Sequence, residues 1–256
     1  AEARGFPDRG RPVSGGATSV MLSSRNDDQR DMEIRQVLIY GCGGHGRVIL
    51  DILRARHGQS LSAVFVDDNP QREGRWVDGI RVHGPSTLRE LLRQRFAAIA
   101  GVGDNLVRAR LYLELRDMGF VPATAVHPSA VVSRRAWLGP GVALMPGVIV
   151  STGARVEENA CINTAASVDH DCLIGPHAHV FPGARLTGNV AVGGYATIGT
   201  GACLAPGVRV GRNAVIGAGA VVLGDIPDNA VAYGVPARLI RFRDPVPAEE
   251  GVLCGS

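Results

Sequence analysis

A glycine-rich loop near the start of the chain, Gly41-Cys42-Gly43-Gly44-His45-Gly46, has the residue types and spacing for phosphate binding. A short apolar segment at 37–40 precedes it, and a helical pattern at 47–56 follows it. In a G-x-G-x-x-G loop between strand and helix, glycines let the backbone approach a phosphate, and the helix N-terminus favours its negative charge. The loop predicts a nucleotide site. The alternative is a turn whose glycines only permit close packing of helix on strand.

Two carboxylates follow the next apolar segment, at Asp67 and Asp68, and Asp67 lies 21 residues beyond Gly46. A carboxylate at that strand end can accept ribose hydroxyls. A nicotinamide dehydrogenase uses the same motif, but this part of the chain is short for two mononucleotide-binding halves. A nucleotide or nucleotide-sugar site is therefore favoured. Its candidate ligands are Gly41, Gly43, Gly44, His45, Gly46, Asp67 and Asp68.

A second candidate is the pair His170 and Asp171. A neutral imidazole can accept a proton, and an adjacent carboxylate can orient it or stabilise its cation. The alternative is a solvated surface histidine. A zinc site formed by His170, His177 and His179 has no supporting ligand pattern, so no metal is expected. Cys172 is predicted to face inward and is not proposed as a nucleophile.

The elements that position these residues follow a six-residue repeat. From Val126 to Val222, an aliphatic residue recurs at 17 successive steps of six, and a small or β-branched residue follows each by four places. Neither a helix, with period 3.6, nor a strand, with period 2, sustains this pattern. The repeat predicts a triangular prism with about 18 residues per coil, whose coils are joined as parallel strands ~4.8 Å apart.

One coil of this prism relates the candidate residues to one another. Gly188 lies 18 residues after His170 and is expected to stack beside it, where its N–H can face a developing oxyanion. His179 lies half a coil from His170, so both border one cleft only if a neighbouring subunit or the corner geometry closes the gap. Beyond the repeat, Arg238 can contact phosphates; the alternative is that its segment only caps the last coil.

The patterns divide the chain into four segments. Residues 1–33 lack periodicity and are predicted to be a disordered tail. Residues 34–122 alternate strand-like and helix-like stretches, which indicates a small Rossmann-like βαβ domain. Residues 123–240 hold the repeat, and 241–256 form a second tail. The first domain is predicted to have strands at 37–40, 63–66 and 97–100, and helices at 47–56, 86–95 (capped by Ser86) and 106–118.

Composition excludes several classes of partner. Lys and Arg total 27 against 24 Asp and Glu, all 27 are Arg, and they form no basic stripe, so nucleic acid is not expected. Five cysteines without a CxxC motif disfavour a disulfide framework and indicate a reducing, cytoplasmic setting. No apolar run is long enough to span a bilayer.

The ordered series of motifs resembles the hexapeptide-repeat nucleotide-sugar acetyltransferases of the sialic acid O-acetyltransferase type. That group includes the bacillosamine- and perosamine-pathway N-acetyltransferases. The resemblance covers about residues 36–240. It rests on the segments at 39–46, 65–68 (Phe-Val-Asp-Asp), 127–130 (His-Pro-Ser-Ala), 162–164 (Ile-Asn-Thr), 170–172, 188–190 and 234–238 (Gly-Val-Pro-Ala-Arg).

The resemblance implies a left-handed β-helix, a homotrimer with clefts between subunits, and acetyl-CoA as co-substrate. It implies that His170 is the general base with help from Asp171, although many relatives carry Glu where this chain has Asp171. The nucleotide would contact Gly44, His45, Asp67 and Asp68. The acetyl group and CoA would contact Asn163, His179, Gly188 and Arg238.

The expected activity is transfer of an acetyl group from acetyl-CoA to the amino group of a nucleotide-linked sugar. Two alternatives stay open. One keeps the fold and places the acetyl group on a sugar hydroxyl. The other is a trimeric scaffold that binds a nucleotide without catalysis.

Overall fold

The computed structural model describes residues 35–246. The tail predicted at 1–33 and most of the one predicted at 241–256 lie outside the described residues.

The N-terminal domain is a five-stranded sheet in the order β3-β4-β2-β1-β5. Strand β1 lies between β2 and β5 and is parallel to both, as the βαβ pattern predicts. Strand β3 pairs antiparallel with β4, and this hairpin was not predicted because its strands are too short to show a pattern. The elements are β1 (Gln36–Tyr40), α1 (Gly44–His57), β2 (Ser62–Val66), β3 (Trp76–Val77), β4 (Ile80–His83), α2 (Leu88–Arg93), β5 (Ala97–Ala100) and α3 (Asn105–Asp117).

The helix predicted at 86–95 with Ser86 as its cap is wrong at both ends. Ser86 lies inside a 3-10 turn, Pro85–Thr87, and makes no cap. Helix α2 begins after that turn, at Leu88. It ends at Arg93 because Arg95 adopts a left-handed backbone with φ 63°, which an α-helix cannot contain. A second 3-10 turn, Gly58–Ser60, follows α1.

The repeat forms a parallel β-helix of 17 two-residue strands, arranged as three sheets. Face 1 holds β6, β9, β12, β15, β18 and β21; face 2 holds β7, β10, β13, β16, β19 and β22; face 3 holds β8, β11, β14, β17 and β20. The strands are β6 (Ala125–Val126), β7 (Val131–Val132), β8 (Trp137–Leu138), β9 (Ala143–Leu144), β10 (Ile149–Val150), β11 (Arg155–Val156), β12 (Cys161–Ile162), β13 (Ser167–Val168), β14 (Leu173–Ile174), β15 (His179–Val180), β16 (Arg185–Leu186), β17 (Ala191–Val192), β18 (Thr197–Ile198), β19 (Cys203–Leu204), β20 (Arg209–Val210), β21 (Val215–Ile216) and β22 (Val221–Val222).

The second residue of each strand fills the prism, as the six-residue pattern predicts. All of these residues from Leu144 onward are buried, whereas Val126, Val132 and Leu138 are partly exposed because the first coil is covered from one side only. Each hexad from Gly141 to Gly219 also has one residue with positive φ, and most of these are Gly or Asn, the residues that tolerate this backbone best.

The N-terminal domain packs on face 1. The outward side chains of Ala125, Ala143, Cys161 and His179 on that face are all buried. Helix α1 contacts β6, and the side chain of Asn105, at the start of α3, donates to the carbonyl of Tyr195 at 3.0 Å. Face 1 is therefore the face that meets the glycine-rich loop at 41–46.

A hairpin closes the far end of face 1. It consists of β23 (Ala230–Gly234), which pairs parallel with β21, and β24 (Ala237–Phe242). Strand β24 continues two residues past the boundary expected at 240 because its antiparallel pairing reaches Ala230. Among residues 35–246, no helix has the length and apolar character needed to cross a membrane.

The inward and outward positions of β14 provide a matched test of the prism. Ile174 is fully buried, whereas Leu173 is 42% exposed. We expect Ile174→Ala to lower the free energy of unfolding by about 2–5 kcal/mol, because it leaves a cavity in a closely packed core. Leu173→Ala should cost less than about 1 kcal/mol. Denaturant unfolding followed by circular dichroism measures both; equal losses would contradict the assigned orientation.

Candidate active site

His170 projects from the turn after β13, with 49% of its side chain exposed. Its Nδ1 lies 2.9 Å from a carboxylate oxygen of Asp171. Because a carboxylate only accepts, Nδ1 carries the proton and Nε2 is left with a lone pair. The hydrogen bond to Asp171 raises the pKa of His170 above its usual value. The pair can therefore take up a proton at Nε2 and stabilise the resulting cation.

Asp171 occupies one of the left-handed turn positions of the prism, with φ 58°. Most equivalent positions hold Gly or Asn, and Asp is, like Asn, among the residues that tolerate this backbone. The turn is therefore compatible with Asp171, and the hydrogen bond to His170 is what points to a role in the site.

Gly188 lies against the His170 ring, as the 18-residue coil predicts. A Cβ built on Gly188 would overlap Cε1 and Nε2 of the imidazole. The backbone of Gly188 does not have a positive φ, so the need for glycine here comes from the close approach of the ring.

His179 is part of a separate, buried group on face 1. Its Nδ1 lies 3.4 Å from the carbonyl oxygen of Gly103, and its Nε2 lies 3.2 Å from Nδ2 of Asn163. The rings of His179 and His45 are 5.8 Å apart. Burial, aided by the positive charge of Arg108, lowers the pKa of His179 to about 3 and that of His45 to about 4. Both imidazoles are neutral at physiological pH.

The glycines of the loop at 41–46 divide into two pairs. A Cβ on Gly46 would overlap the carbonyl oxygen of Gly41, and Gly41 itself has φ 104°, so these two serve the packing of α1 on the sheet. In contrast, a Cβ on Gly44 would meet nothing within 4 Å, and one on Gly43 would meet only the guanidinium of Arg72, at 3.9 Å. The second pair leaves the backbone at the start of α1 open to a ligand.

The two carboxylates after β2 have different surroundings. Asp67 accepts hydrogen bonds at 3.0 Å from the backbone of Cys42, the backbone of Asn69 and the guanidinium of Arg72. It therefore ties the loop to the end of β2. Asp68 accepts one hydrogen bond, from the hydroxyl of Tyr40 at 2.6 Å.

The remaining candidates lie apart from these groups. Arg238 is exposed on β24. His177 is buried, its Nδ1 lies 2.8 Å from Nδ2 of Asn159, and its ring packs against Tyr112, so it belongs to the contact between α3 and the β-helix. Across the described chain, no group of three or more His, Cys, Asp or Glu side chains is arranged to hold a metal. Cys172 is buried, as expected, and its thiol donates to the carbonyl of Thr187 at 3.1 Å.

Sequence reasoning missed Arg108. The side chain is 2% exposed and lies on the apolar stripe of α3 with Leu111, Tyr112 and Leu115. An arginine at helical spacing from three core residues was the available signal, since an unpaired cation is rarely buried.

The sequence and the fold of this chain are both similar to those of known acetyltransferases. The PglD N-terminal domain family matches residues 36–115. GDP-perosamine N-acetyltransferase from Caulobacter crescentus, solved with CoA and GDP-perosamine, is 40% identical with a TM-score of 0.76; the match covers 80% of this chain and 97% of that one. This chain belongs to the hexapeptide-repeat nucleotide-sugar acetyltransferases.

Two further relatives agree with the assignment. The acetyltransferase domain of PglB from Neisseria gonorrhoeae, solved with acetyl coenzyme A, is 36% identical with a TM-score of 0.76, over 80% of this chain and 99% of that one. A UDP-N-acetylbacillosamine N-acetyltransferase from Bacillus subtilis is 39% identical over 116 residues. That match covers 44% of this chain and 52% of the relative, so the chain spans about half of it. The expected fold, a Rossmann-like domain followed by a left-handed β-helix, is confirmed.

The Asp171 carboxylate is expected to set the pH dependence of this acetyltransferase. In Asp171→Asn, the amide oxygen can still accept from Nδ1, but the charge that favours the imidazolium is lost. The pKa of His170 should fall, so the acid limb of kcat/KM should move to lower pH, with a lower plateau because the base is weaker.

Asp169→Asn is the comparison variant, because the Asp169 charge also raises the pKa of His170, but its carboxylate accepts from the backbone N–H of His170, at 2.7 Å, and not from the ring. The acid limb of kcat/KM should move less in Asp169→Asn than in Asp171→Asn. An acid limb that stays in place or moves to higher pH in Asp171→Asn would contradict the assignment.

Gly188→Ala should displace the imidazole while leaving the fold intact. We expect kcat to fall by about 10-fold or more, since small misplacements of a reacting group are costly. Gly224→Ala is the control, because a Cβ there meets nothing within 4 Å and its φ is not positive. Steady-state kinetics and thermal unfolding of both variants check this. Unchanged turnover in Gly188→Ala would exclude the close approach as a requirement for catalysis.

Proposed function

We propose that this protein transfers the acetyl group of acetyl-CoA to the amino group of a nucleotide-linked amino sugar, with His170 as general base. The His170–Asp171 pair beside Gly188 is the observation that carries the proposal. The perosamine N-acetyltransferase supports the choice of an amine acceptor, because its solved complex holds CoA and an amino sugar on a nucleotide.

The chemistry needs one proton acceptor and no covalent intermediate. The amine lone pair attacks the thioester carbonyl carbon while Nε2 of His170 takes the amine proton. The tetrahedral oxyanion then collapses, the C–S bond breaks, and the CoA thiolate leaves and takes up a proton. Bringing both substrates together supplies much of the acceleration. Cys172 takes no part, because its thiol is buried and burial raises its pKa.

The active site is proposed to form between copies of the chain. His170 lies at the turn that follows face 2, whereas His179 lies on face 1, half a coil away. A second copy that brings the junction between its N-terminal domain and face 1, where His179 lies, to the His170 turn would complete one cleft. A closed ring of copies repeats this contact without leaving a free edge, and the resemblance to the hexapeptide-repeat acetyltransferases implies that the ring has three members.

The nucleotide part of the sugar substrate is proposed to bind at the loop before α1. Gly43 and Gly44 offer open backbone there, and the start of the helix favours phosphate. His45 belongs to this loop, and its ring lies 5.8 Å from that of His179, so it would link the nucleotide to the acetyl site. Of the two carboxylates, Asp68 is the better placed to meet a ligand, since Asp67 already has four donors from the chain.

The acetyl group and CoA are proposed to contact Asn163, His179, Gly188 and the exposed Arg238.

Because acetyl-CoA is a co-substrate of cytoplasmic metabolism and the described cysteines are unpaired, the reaction is assigned to the cytoplasm.

Acetylation of a sugar hydroxyl is the second candidate, because His170 can activate an alcohol as well as an amine. A panel of UDP-, GDP-, dTDP- and CMP-linked sugars, with and without an amino group, separates the two when CoA release and product mass are measured. We expect release only with amino sugars. Release with hydroxyl sugars alone would favour the second candidate. Binding without release would indicate a non-catalytic scaffold.

His170→Ala is expected to lower turnover on the best substrate by about 100-fold or more, as loss of a general base does. His127→Ala, a histidine change in the first coil, is the matched control and should retain activity. Near-normal turnover in His170→Ala with thermal stability unchanged would exclude His170 as the base.

A further inference from the structure

Arg108 is a buried cation at the junction between the N-terminal domain and the β-helix. Its side chain is 2% exposed, and among the ion pairs of residues 35–246 none includes it. An isolated buried charge is costly unless hydrogen bonds satisfy it. Here the acceptors are the carbonyl oxygens of Val102 (3.4 Å), Gly103 (3.3 Å), Asn159 (3.2 Å), His177 (2.8 Å) and Ala178 (3.4 Å), and the side-chain oxygen of Asn105 (2.9 Å).

These acceptors belong to the segments that surround His179. The carbonyls of His177 and Ala178 come directly before His179 in the chain. The carbonyl of Gly103 accepts from Arg108 and also lies against Nδ1 of His179. One guanidinium therefore holds both the backbone that carries the imidazole and the oxygen that faces its ring nitrogen.

The contacts of His179 define its protonation. The Gly103 carbonyl can only accept, so Nδ1 must carry a proton. Nε2 then has a lone pair, which accepts from the amide Nδ2 of Asn163. Both contacts are satisfied by a neutral imidazole with its proton on Nδ1.

We propose that Arg108 is a positioning residue that holds His179 as a neutral imidazole in the Nδ1–H tautomer, through the shared Gly103 carbonyl. The inference rests on the proposed function in one respect, that His179 borders the acetyl group.

The charged and titratable groups around His179 agree with this assignment. Burial first, then the charge of Arg108, then His45, lower the pKa of His179 to about 3. Cys161, its ladder partner on β12, is a buried thiol whose pKa is raised to about 11, so it adds no charge. Asp104 caps α3, and its charge partly offsets the lowering of the Arg108 pKa by burial. With Arg108 in place, His179 stays neutral throughout the physiological range.

The consequence for catalysis is a division of roles. His170 gains and loses the proton during the reaction, whereas His179 cannot compete for it. The acid limb of kcat/KM should therefore follow a single ionisation, that of His170. Removing the charge of Arg108 should raise the pKa of His179 only in part, because burial, the larger cause of the lowered pKa, remains.

The test uses the full chain with 15N-labelled histidine and NMR of the ring nitrogens. The His179 signal is identified by its loss in His179→Gln. In the unaltered protein we expect a neutral Nδ1–H pattern that does not titrate down to about pH 5. An Nε2–H pattern, or a titration near the ordinary histidine pKa, would overturn the proposal without reference to any variant or activity.

Arg108→Met removes the charge and the hydrogen bonds, whereas Arg108→Lys keeps the charge. We expect Arg108→Met to release the Gly103 carbonyl, so that His179 loses its single Nδ1–H pattern, and to lower kcat by about 10-fold with little change in KM for the nucleotide sugar. Arg108→Lys should keep His179 neutral. Arg110→Met, on the same helix but with 61% of the arginine side chain exposed, is the matched control.

The proposal would be overturned if the His179 ring-nitrogen NMR spectrum, recorded as a function of pH, were the same in Arg108→Met as in Arg110→Met. If Arg108→Met does not fold, the NMR pattern of the unaltered protein decides the matter. If no nucleotide sugar supports CoA release, the proposed function fails, yet the tautomer and its dependence on Arg108 can still be measured. The two failures are therefore distinguishable.

Discussion

The 18-residue coil register is the constraint on which the rest of this structure depends. Parallel hydrogen bonding between coils requires every strand to align with the strand one coil later, as Cys161 does with His179 and His179 with Thr197. A shift of one residue would turn the aliphatic residues outward and open the prism. The same register places Gly188 against the His170 ring, so one rule supplies both the stability of the fold and the geometry of the proposed general base.

Burial on face 1 gives the histidines different properties. His170 is solvent-exposed beside a carboxylate, which favours its cation. His45 and His179 lie beneath the N-terminal domain, where burial and the nearby Arg108 disfavour protonation. The docking of the N-terminal domain therefore determines which imidazole can accept a proton.

Much of the fold could be predicted because its period is long and regular. The prism, the stacking of Gly188 on His170 and the inward position of Cys172 all follow from counting residues. The short β3–β4 hairpin and the end of α2 could not be predicted, since they depend on sheet pairing and on the left-handed backbone of Arg95. The candidate site could be predicted only in part from the sequence. Arg108 bonds mainly to backbone carbonyls distant in sequence, and no residue pattern records such contacts.

The central claim is that one active site needs the His170 turn of one copy and face 1 of another. Mixing equal amounts of His170→Ala and His179→Ala chains during assembly tests it most directly. Each variant alone should be nearly inactive. Mixed assemblies should recover about one quarter of normal CoA release, because one interface in four pairs the two intact histidines. If mixing restores no activity, both histidines act within a single chain and the account is contradicted.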